Sequence, residues 1–440
     1  MPAINRIDRA TRAAHEAATA RDATALVKRA LVREPYLLEK MVRLAETDYP
    51  KGRDFQRVYL RSFPAKVAAV VAAGKRLQMG FTDAQVIELA KGIDPFRGTQ
   101  EAVRLWPHKK TGGSRPVAAF GIENKALQFM AKRAAKPFIK IHPHQFDAKG
   151  HGGPPAACRR ILELLRAGYV NVVVMDVAGN FNALRAEGII KTIPLPPAVI
   201  EGVVLARGLN INPNERRYNH AAKAGSRKRN QAPKAPRKPK GSLHGDSQTL
   251  RVVVCGAAGP TDSGRLREIM RTGRRGLSQG SLGSPLFSDA IHEPMVAKIS
   301  RYGEVVHYAD NFFVFTKTKA GALRAAKTLK AEFQRLLAGP LLPSDATIKD
   351  ARDGFVALGY VFKVKGKRAW LRPPRHKLER VWWRYSEMME DVATGNVTRQ
   401  EFMDSLDSWC AAHRLWSHWG LWRKLLRSRF DRHLSPTGGR

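Results

Sequence analysis

Apolar positions in the first hundred residues recur at intervals of three and four. Residues 4–46, rich in Ala, Arg, Leu and Glu, predict one or two helices. Thr82, followed three residues later by Gln85, has the pattern of a helix cap. Over residues 53–79 the spacing predicts helical structure with one buried face, carried by Leu60, Phe63, Val67, Val70 and Val71. We therefore predict an α-helical N-terminal extension over residues 1–100.

Two later stretches have the apolar runs of strands. Residues 170–174 form a valine-rich run broken only by Asn171, and it ends at Asp176. In residues 305–315, VVHYADNFFVF, two apolar runs flank a polar step that contains Asp310 and Asn311. This pattern predicts a β-hairpin whose acidic side chain is held rigidly and points outward. An ordinary Asp-Asn turn would give the same pattern, and Asp176 alone could cap a helix.

Two glycine-containing segments combine small residues with polar or basic ones. Residues 106–122 predict a hairpin with a cationic tip, where Lys109, Lys110 and Arg115 could hold phosphates. Residues 274–291 predict a loop that leads through a Ser-Pro step into a helix. The small residues of this loop allow a flat ligand such as a base pair to approach closely. A solvated turn and a plain loop-to-helix junction are the alternatives.

The remaining pattern mixes both element types. Residues 123–136, 156–167 and 319–337 predict helices, and residues 250–255 and 354–364 predict strands. From residue 375 the chain is helical and basic, and helix-core packing accounts for most of its tryptophans, while basic faces suit nucleic-acid backbone tracking. These tryptophans are Trp382, Trp383, Trp409, Trp416, Trp419 and Trp422. The predicted fold class is therefore α+β.

The net charge of the chain indicates which class of partner it binds. The chain of 440 residues has 77 Lys and Arg against 38 Asp and Glu, a net charge of +39. Such an excess predicts a polyanion, most simply nucleic acid, with a membrane surface the weaker alternative. Residues 216–240 contain ten Lys or Arg, three Pro and no acidic residue. They predict a polybasic arm, disordered when free, within an insertion over residues 212–245.

Several classes of protein are disfavoured. The three cysteines, Cys158, Cys255 and Cys410, are too widely spaced for a zinc motif or a disulfide framework. No apolar run reaches 18 residues, and the N-terminus lacks the apolar segment of a secretory signal. We therefore expect a cytoplasmic protein with no membrane partner.

Six segments, taken together and in this order, resemble the motifs of prokaryotic reverse transcriptases. The resemblance covers the chain from about residue 106 to its end. The segments are RP with FGI at 115–122, HGGP at 151–154, DVAGNFNAL at 176–184, QGSLGSP at 279–285, YADN at 308–311 and GFVALGY at 354–360.

The resemblance implies a right-hand polymerase fold and its chemistry. Fingers and palm would occupy residues 101–374, and a helical thumb residues 375–440. The implied activity is RNA-directed DNA synthesis, in which a 3′-hydroxyl attacks an α-phosphate between two Mg²⁺ ions, with Mn²⁺ as a substitute ion. Asp176, Asp310 and the carbonyl of Val177 would hold the metal.

The same resemblance implies roles around the nucleotide. Phe181 would lie under the sugar and exclude a 2′-hydroxyl, so that dNTPs are preferred. Gln279 and Gly280 would contact the incoming nucleotide and the template base pair. Implied partners are an RNA template or a structured non-coding RNA, a DNA primer or product, and dNTPs. The triphosphate would be gripped by Arg115 with Lys109 or Lys110.

The chain departs from the family at two acidic positions and in lacking a clear match to the Lys-Thr pair that the family often has near Thr347. The second hairpin carboxylate of the family is Asn311 here, and Asn182 stands where Asp is usual. Asn311, which we count with the catalytic residues, removes a negative charge but keeps an amide oxygen. Three explanations stay open: synthesis with two carboxylates, a degenerate polymerase that only binds RNA, or an aspartate replaced by design. We expect a bacterial retroelement or antiphage defence enzyme, with template-independent or protein-primed synthesis as a further alternative.

Overall fold

The computed structural model describes residues 4–110, 113–177, 179–213, 271, 273–343 and 345–434; over residues 4–20, 106–116 and 212–213 it describes the backbone alone. Helices are combined with small, mostly antiparallel sheets, which confirms the predicted mixture of α and β structure. The polybasic arm and the predicted strand at 250–255 lie outside the described residues. The right-hand arrangement and the domain boundaries stay predictions.

Capping residues divide the N-terminal part into helices. Asp48 and Ser62 each accept a backbone N–H of the following first turn, where a proline is also placed. Thr82 and Gln85 form the reciprocal capping box that their spacing predicts. The first helix runs through Pro35 without a break, so residues 4–46 form one helix and not two. The helices are α1 (Ile4–Thr47), α2 (Tyr49–Arg61), α3 (Phe63–Leu77) and α4 (Asp83–Gly92).

The rest of the described chain alternates helices and strands. The strands are β1 (Val103–Lys110), β2 (Gly113–Ala119), β3 (Asn171–Asp176), β4 (Ile211–Pro213), β5 (Glu304–Tyr308), β6 (Asn311–Thr316), β7 (Thr347–Asp350), β8 (Phe355–Ala357), β9 (Tyr360–Lys365) and β10 (Arg368–Arg372). The helices are α5 (Ile122–Ala135), α6 (Gly153–Arg166), α7 (Asn180–Ala183), α8 (Ala186–Thr192), α9 (Pro197–Val199), α10 (Ser284–Ile299), α11 (Lys319–Arg335), α12 (Arg375–Ala393), α13 (Arg399–Ala412) and α14 (Trp419–His433).

The central sheet is four-stranded and antiparallel, in the order β5-β6-β3-β7. One face, which includes Val173 and Phe312, packs against α10 and α11. The other face, which includes Val172 and Phe313, packs against α6 and the β8–β10 sheet. Because both faces are covered, the strands read as continuous apolar runs and not as alternating ones.

Two smaller sheets and a helical cluster complete the described structure. Strand β1 pairs antiparallel with β2 and parallel with β4. Strands β8, β9 and β10 form an antiparallel meander whose last turn lies at residues 366–367. Helices α12–α14 surround a core that includes Tyr385, Phe402 and Phe430. Trp383 is 69% exposed, whereas the other tryptophans of these helices are buried or partly buried.

Every helix among the described residues is too short or too polar to cross a bilayer.

Candidate active site

The turn between β5 and β6 is tight. Tyr308 pairs with Asn311, so only Ala309 and Asp310 form the loop. Ala309 has φ = 55°, a left-handed conformation that costs a residue with a Cβ about 1 kcal/mol. A positive φ at the first loop residue matches the right-handed twist of the flanking strands. The predicted hairpin is therefore present, and its turn presents Asp310 at the strand end.

Strand β3 brings a second carboxylate to this turn. Asp176 is the last residue of β3 and pairs directly with Asn311 of β6. Opposed residues of an antiparallel pair project from the same face, with their Cβ atoms about 5 Å apart. The backbone N–H of Val177 donates to the carbonyl of Asp310 at 3.0 Å. Asp176, Val177, Asp310 and Asn311 thus meet at one edge of the sheet, with Asp176 exposed and Asp310 half-buried.

The side chain of Asn311 is engaged with its neighbour. Its Nδ2 donates to Asp310 Oδ1 at 2.9 Å and approaches the carbonyl of Tyr308 at 3.5 Å. An aspartate at this position could not donate and would repel Asp310. The asparagine therefore orients the Asp310 carboxylate, and its own Oδ1 keeps the capacity of an oxygen ligand.

The glycine-containing loop before α10 is hydrogen-bonded to β2. The backbone carbonyl of Gln279 accepts the N–H of Ala118 at 2.8 Å. The side-chain Nε2 of Gln279 donates to Asn182 Oδ1 at 3.4 Å. Gly280 has φ = 98°, and a Cβ there would lie 2.4 Å from the carbonyl of Ala118. Only glycine permits this approach. Strand β2 and the loop are thereby fixed to each other.

Phe181 belongs to the same assembly. Its carbonyl accepts the N–H of Leu277 at 2.9 Å, and its ring is partly buried against the main core. Gly276 packs so closely on this carbonyl that a Cβ would lie 2.1 Å from it. The structure therefore brings Phe181, Gln279 and Gly280 together, and their contacts with a nucleotide stay predictions.

The three predicted phosphate ligands lie on the β1–β2 hairpin. Lys109 pairs with Ser114, Lys110 with Gly113, and Arg115 with His108. This register places Lys109, Lys110 and Arg115 near the hairpin end. Their grip on a triphosphate stays a prediction.

A polar cluster behind the turn was missed from the sequence. Asp147, Asp289 and His307 offer ligand atoms that all lie within 4.8 Å of one another. His307 stands in the apolar run of β5, where it pairs with Phe312. His292 is also fully buried, and its ring centroid lies 5.4 Å from that of His307. A histidine at a buried strand position was the signal that could have indicated this cluster.

Burial controls the charges of this cluster. It raises the pKa of Asp147, and burial together with the Asp147 carboxylate raises the pKa of Asp289 to about 9. Burial lowers the pKa of His292 to about 4 and that of His307 well below its ordinary value. Around neutral pH, Asp289 is therefore protonated and both imidazoles are neutral. The Asp147 carboxylate also accepts the N–H of Ala309, which links the cluster to the turn.

No protein-family model matches the chain. Among solved structures, the chain is similar to the apo telomerase of Candida tropicalis truncated from its C-terminal domain, with a TM-score of 0.31 and 11% identity. The match covers 62% of this chain and 55% of the telomerase chain, so this chain spans about half the length of that protein.

Proposed function

We propose that the chain is a nucleotidyltransferase that performs RNA-directed DNA synthesis. The observation that carries this proposal is the meeting of Asp176 and Asp310 at one sheet edge, on a strand end and an adjacent tight turn. The six ordered segments that resemble reverse transcriptases support it, and the net charge of +39 suits a nucleic-acid partner.

The donor set of this edge fits Mg²⁺. Two carboxylates and a main-chain carbonyl are hard oxygen donors, and the exposure of Asp176 leaves room for water and phosphate oxygens. When bound, two Mg²⁺ ions would stabilise the attacking and leaving oxygens of an in-line displacement. Asp176, Asp310 and the carbonyl of Val177 would hold them. Asn311 would have to share or release Asp310 Oδ1 as that oxygen becomes a ligand.

Around that edge, the chain would position the nucleotide. Phe181 would lie under the sugar and exclude a 2′-hydroxyl. The rigid loop at Gln279 and Gly280 would support the incoming base pair because its hydrogen bonds leave it little freedom to move. Lys109, Lys110 and Arg115 would neutralise the triphosphate. Partners would be an RNA template or structured RNA, a DNA primer and dNTPs, in a bacterial retroelement or antiphage defence system.

A second candidate is an RNA-binding protein that has lost the chemistry. The bond from Asn311 to Asp310 favours it, because this bond occupies an oxygen that a metal ion would need. Template-independent or protein-primed synthesis would use the same carboxylates, and it differs from the first proposal only in the origin of template and primer.

Primer extension on an RNA template with Mg²⁺ and labelled dNTPs tests these alternatives. Extension by the unaltered chain, lost in Asp176→Ala and kept in Asp353→Ala, would support the polymerase. Asp353 is a matched control because it is an exposed aspartate beside the same sheet. Extension by Asn311→Asp alone would indicate a disabled polymerase. If no version extends the primer, with or without template, and RNA still binds, the binding protein is favoured.

A further inference from the structure

The buried cluster behind the hairpin turn is built from three separate elements. Asp147 lies on the connection before α6, Asp289 on α10 and His307 on β5. Asp289 is 2% exposed and His307 is fully buried. Asp147 Oδ1 lies 3.9 Å from His307 Nδ1, and all three ligand atoms fit within 4.8 Å. Residues so distant in sequence are held together here by the packing of helix, strand and connection.

Several of these polar atoms have no hydrogen-bond partner among the described residues. They are Asp147 Oδ1 and both ring nitrogens of His307 and of His292. Buried polar groups in native proteins are nearly always paired, because removal from water is costly without a replacement bond. Phe312 packs against both imidazoles, with ring centroids 5.5 Å from His292 and 4.3 Å from His307. The backbone of Ala309 interacts with the His307 ring, but neither ring nitrogen of His307 reaches a partner with full hydrogen-bond geometry among the described residues.

A divalent cation would give these buried polar atoms a binding partner. It would accept a lone pair from His307 and oxygens from both carboxylates, whose two negative charges would balance the ion. Imidazole nitrogen combined with carboxylate oxygen is a donor set for zinc-class transition metals, whereas Mg²⁺ prefers oxygen ligands and retains water. At a bond length of about 2.1 Å, tetrahedral ligands lie about 3.4 Å apart. The most widely separated ligand atoms would therefore approach by up to about 1.4 Å, within the reach of side-chain rotation.

We propose that Asp147, Asp289 and His307 form a binding site for one zinc-class divalent cation behind the β5–β6 turn. The ion fixes the turn through Asp147, whose carboxylate also accepts the N–H of Ala309 beside Asp310. The site is distinct from the Asp176–Asp310 edge, because His307 and Asp176 project from opposite faces of the sheet. It does not depend on the proposed polymerase activity.

Co²⁺ binding to the full chain tests this site, in the background Asp176→Asn with Asp310→Asn so that the exposed carboxylates do not contribute. After removal of metal with a chelator, we expect one equivalent of Co²⁺ to bind with visible d–d absorption. Zn²⁺ should displace it and excess Mg²⁺ should not. Asp289→Asn and His307→Gln should each weaken Co²⁺ binding by more than about tenfold, since loss of a ligand costs at least as much as loss of an outer-shell partner.

A gain-of-signal variant separates ligand loss from misfolding. His307→Cys keeps a metal ligand and should add a thiolate-to-cobalt charge-transfer band in the near ultraviolet. Absence of Co²⁺ binding in the background protein overturns the proposal. Binding of unchanged affinity in folded Asp289→Asn and His307→Gln, judged by circular dichroism, also overturns it, as does a His307→Cys protein that binds Co²⁺ without the new band. Primer extension is measured separately, so failure of either proposal leaves the other testable.

Discussion

Two acidic clusters lie on opposite faces of one sheet, beside the same two-residue turn. Asp176 and Asn311 are paired on the face that opens toward solvent at the strand ends, and His307 and Phe312 are paired on the face covered by α10. The two clusters share residue types but differ in exposure. Asp176 is exposed, whereas Asp289 is buried and its pKa is raised to about 9.

Exposure, and not residue type, therefore decides what a carboxylate can do at this hairpin. An exposed carboxylate stays charged in water and can exchange ligands with an incoming phosphate. A buried carboxylate must be neutralised by a proton or by a cation. The exposed environment therefore suits a catalytic ligand that exchanges partners in each cycle, and the buried environment suits a group that holds its partner permanently.

Removal of the exposed carboxylate should have the largest effect. Asp176→Asn should lower primer extension on the order of 10³-fold, because it weakens the binding of ions that stabilise the transition state. RNA affinity and thermal unfolding should change little, since Asp176 is exposed. Asp353→Asn provides the control. Full extension by Asp176→Asn would show that the exposed carboxylate takes no part in the chemistry.

Burial raises the pKa of a carboxyl group and should lower the pKa of a cationic side chain, which Lys125 tests. Its Nζ donates to the carbonyl of Gly280 at 3.0 Å, and burial lowers its pKa to about 8. Between pH 8 and 10.5 the unfolded chain binds more protons at this residue than the folded chain. The free energy of unfolding should therefore gain at most about 3 kcal/mol as pH rises through this window.

Denaturant unfolding from pH 7 to 10.5 measures this gain as a difference between variants. Lys125→Met should lose it, and the exposed matched control Lys136→Met should keep it. If Lys125→Met has the same profile as the control, burial does not set the charge of this residue.

Asn311→Asp tests the effect of a second negative charge beside Asp310 at the exposed edge. It replaces a hydrogen bond to Asp310 with repulsion between two carboxylates. Without divalent ions, we expect a loss of about 1 kcal/mol in the free energy of unfolding, which millimolar Mg²⁺ should restore. Thermal unfolding with and without Mg²⁺ measures this, with Asn171→Asp at the far end of β3 as the control. A loss that Mg²⁺ does not reverse would argue against an ion at this edge.

Ala309→Gly should have the smallest effect. Glycine adopts positive φ without strain but loses more conformational freedom on folding. We expect a net gain of about 0.5 kcal/mol in the free energy of unfolding, measured by denaturant titration. Leu358 also has a left-handed backbone, with φ = 50°. Leu358→Gly therefore measures how much stability is gained when the same backbone strain is relieved far from the two clusters. Destabilisation by Ala309→Gly would mean that its methyl group, and not its backbone, matters at the turn.

Local pattern was sufficient for most elements of the described chain. The apolar runs predicted β3 and the β5–β6 hairpin, and Thr82 with Gln85 predicted the start of α4. The buried face over residues 53–79 was also correct, although Ser62 divides it between two helices. These features depend on neighbours within a few residues, so a sequence window contains their cause.

The element types, the excess of positive charge and the two candidate carboxylates are all specified by local sequence. The meeting of Asp176 and Asp310 depends on packing, because it requires β3 to pair with β6 across more than a hundred residues. The convergence of Asp147, Asp289 and His307 also depends on packing, because each belongs to a different element and none has a motif. Burial is a property of the packed whole, and burial gives the second cluster its chemistry.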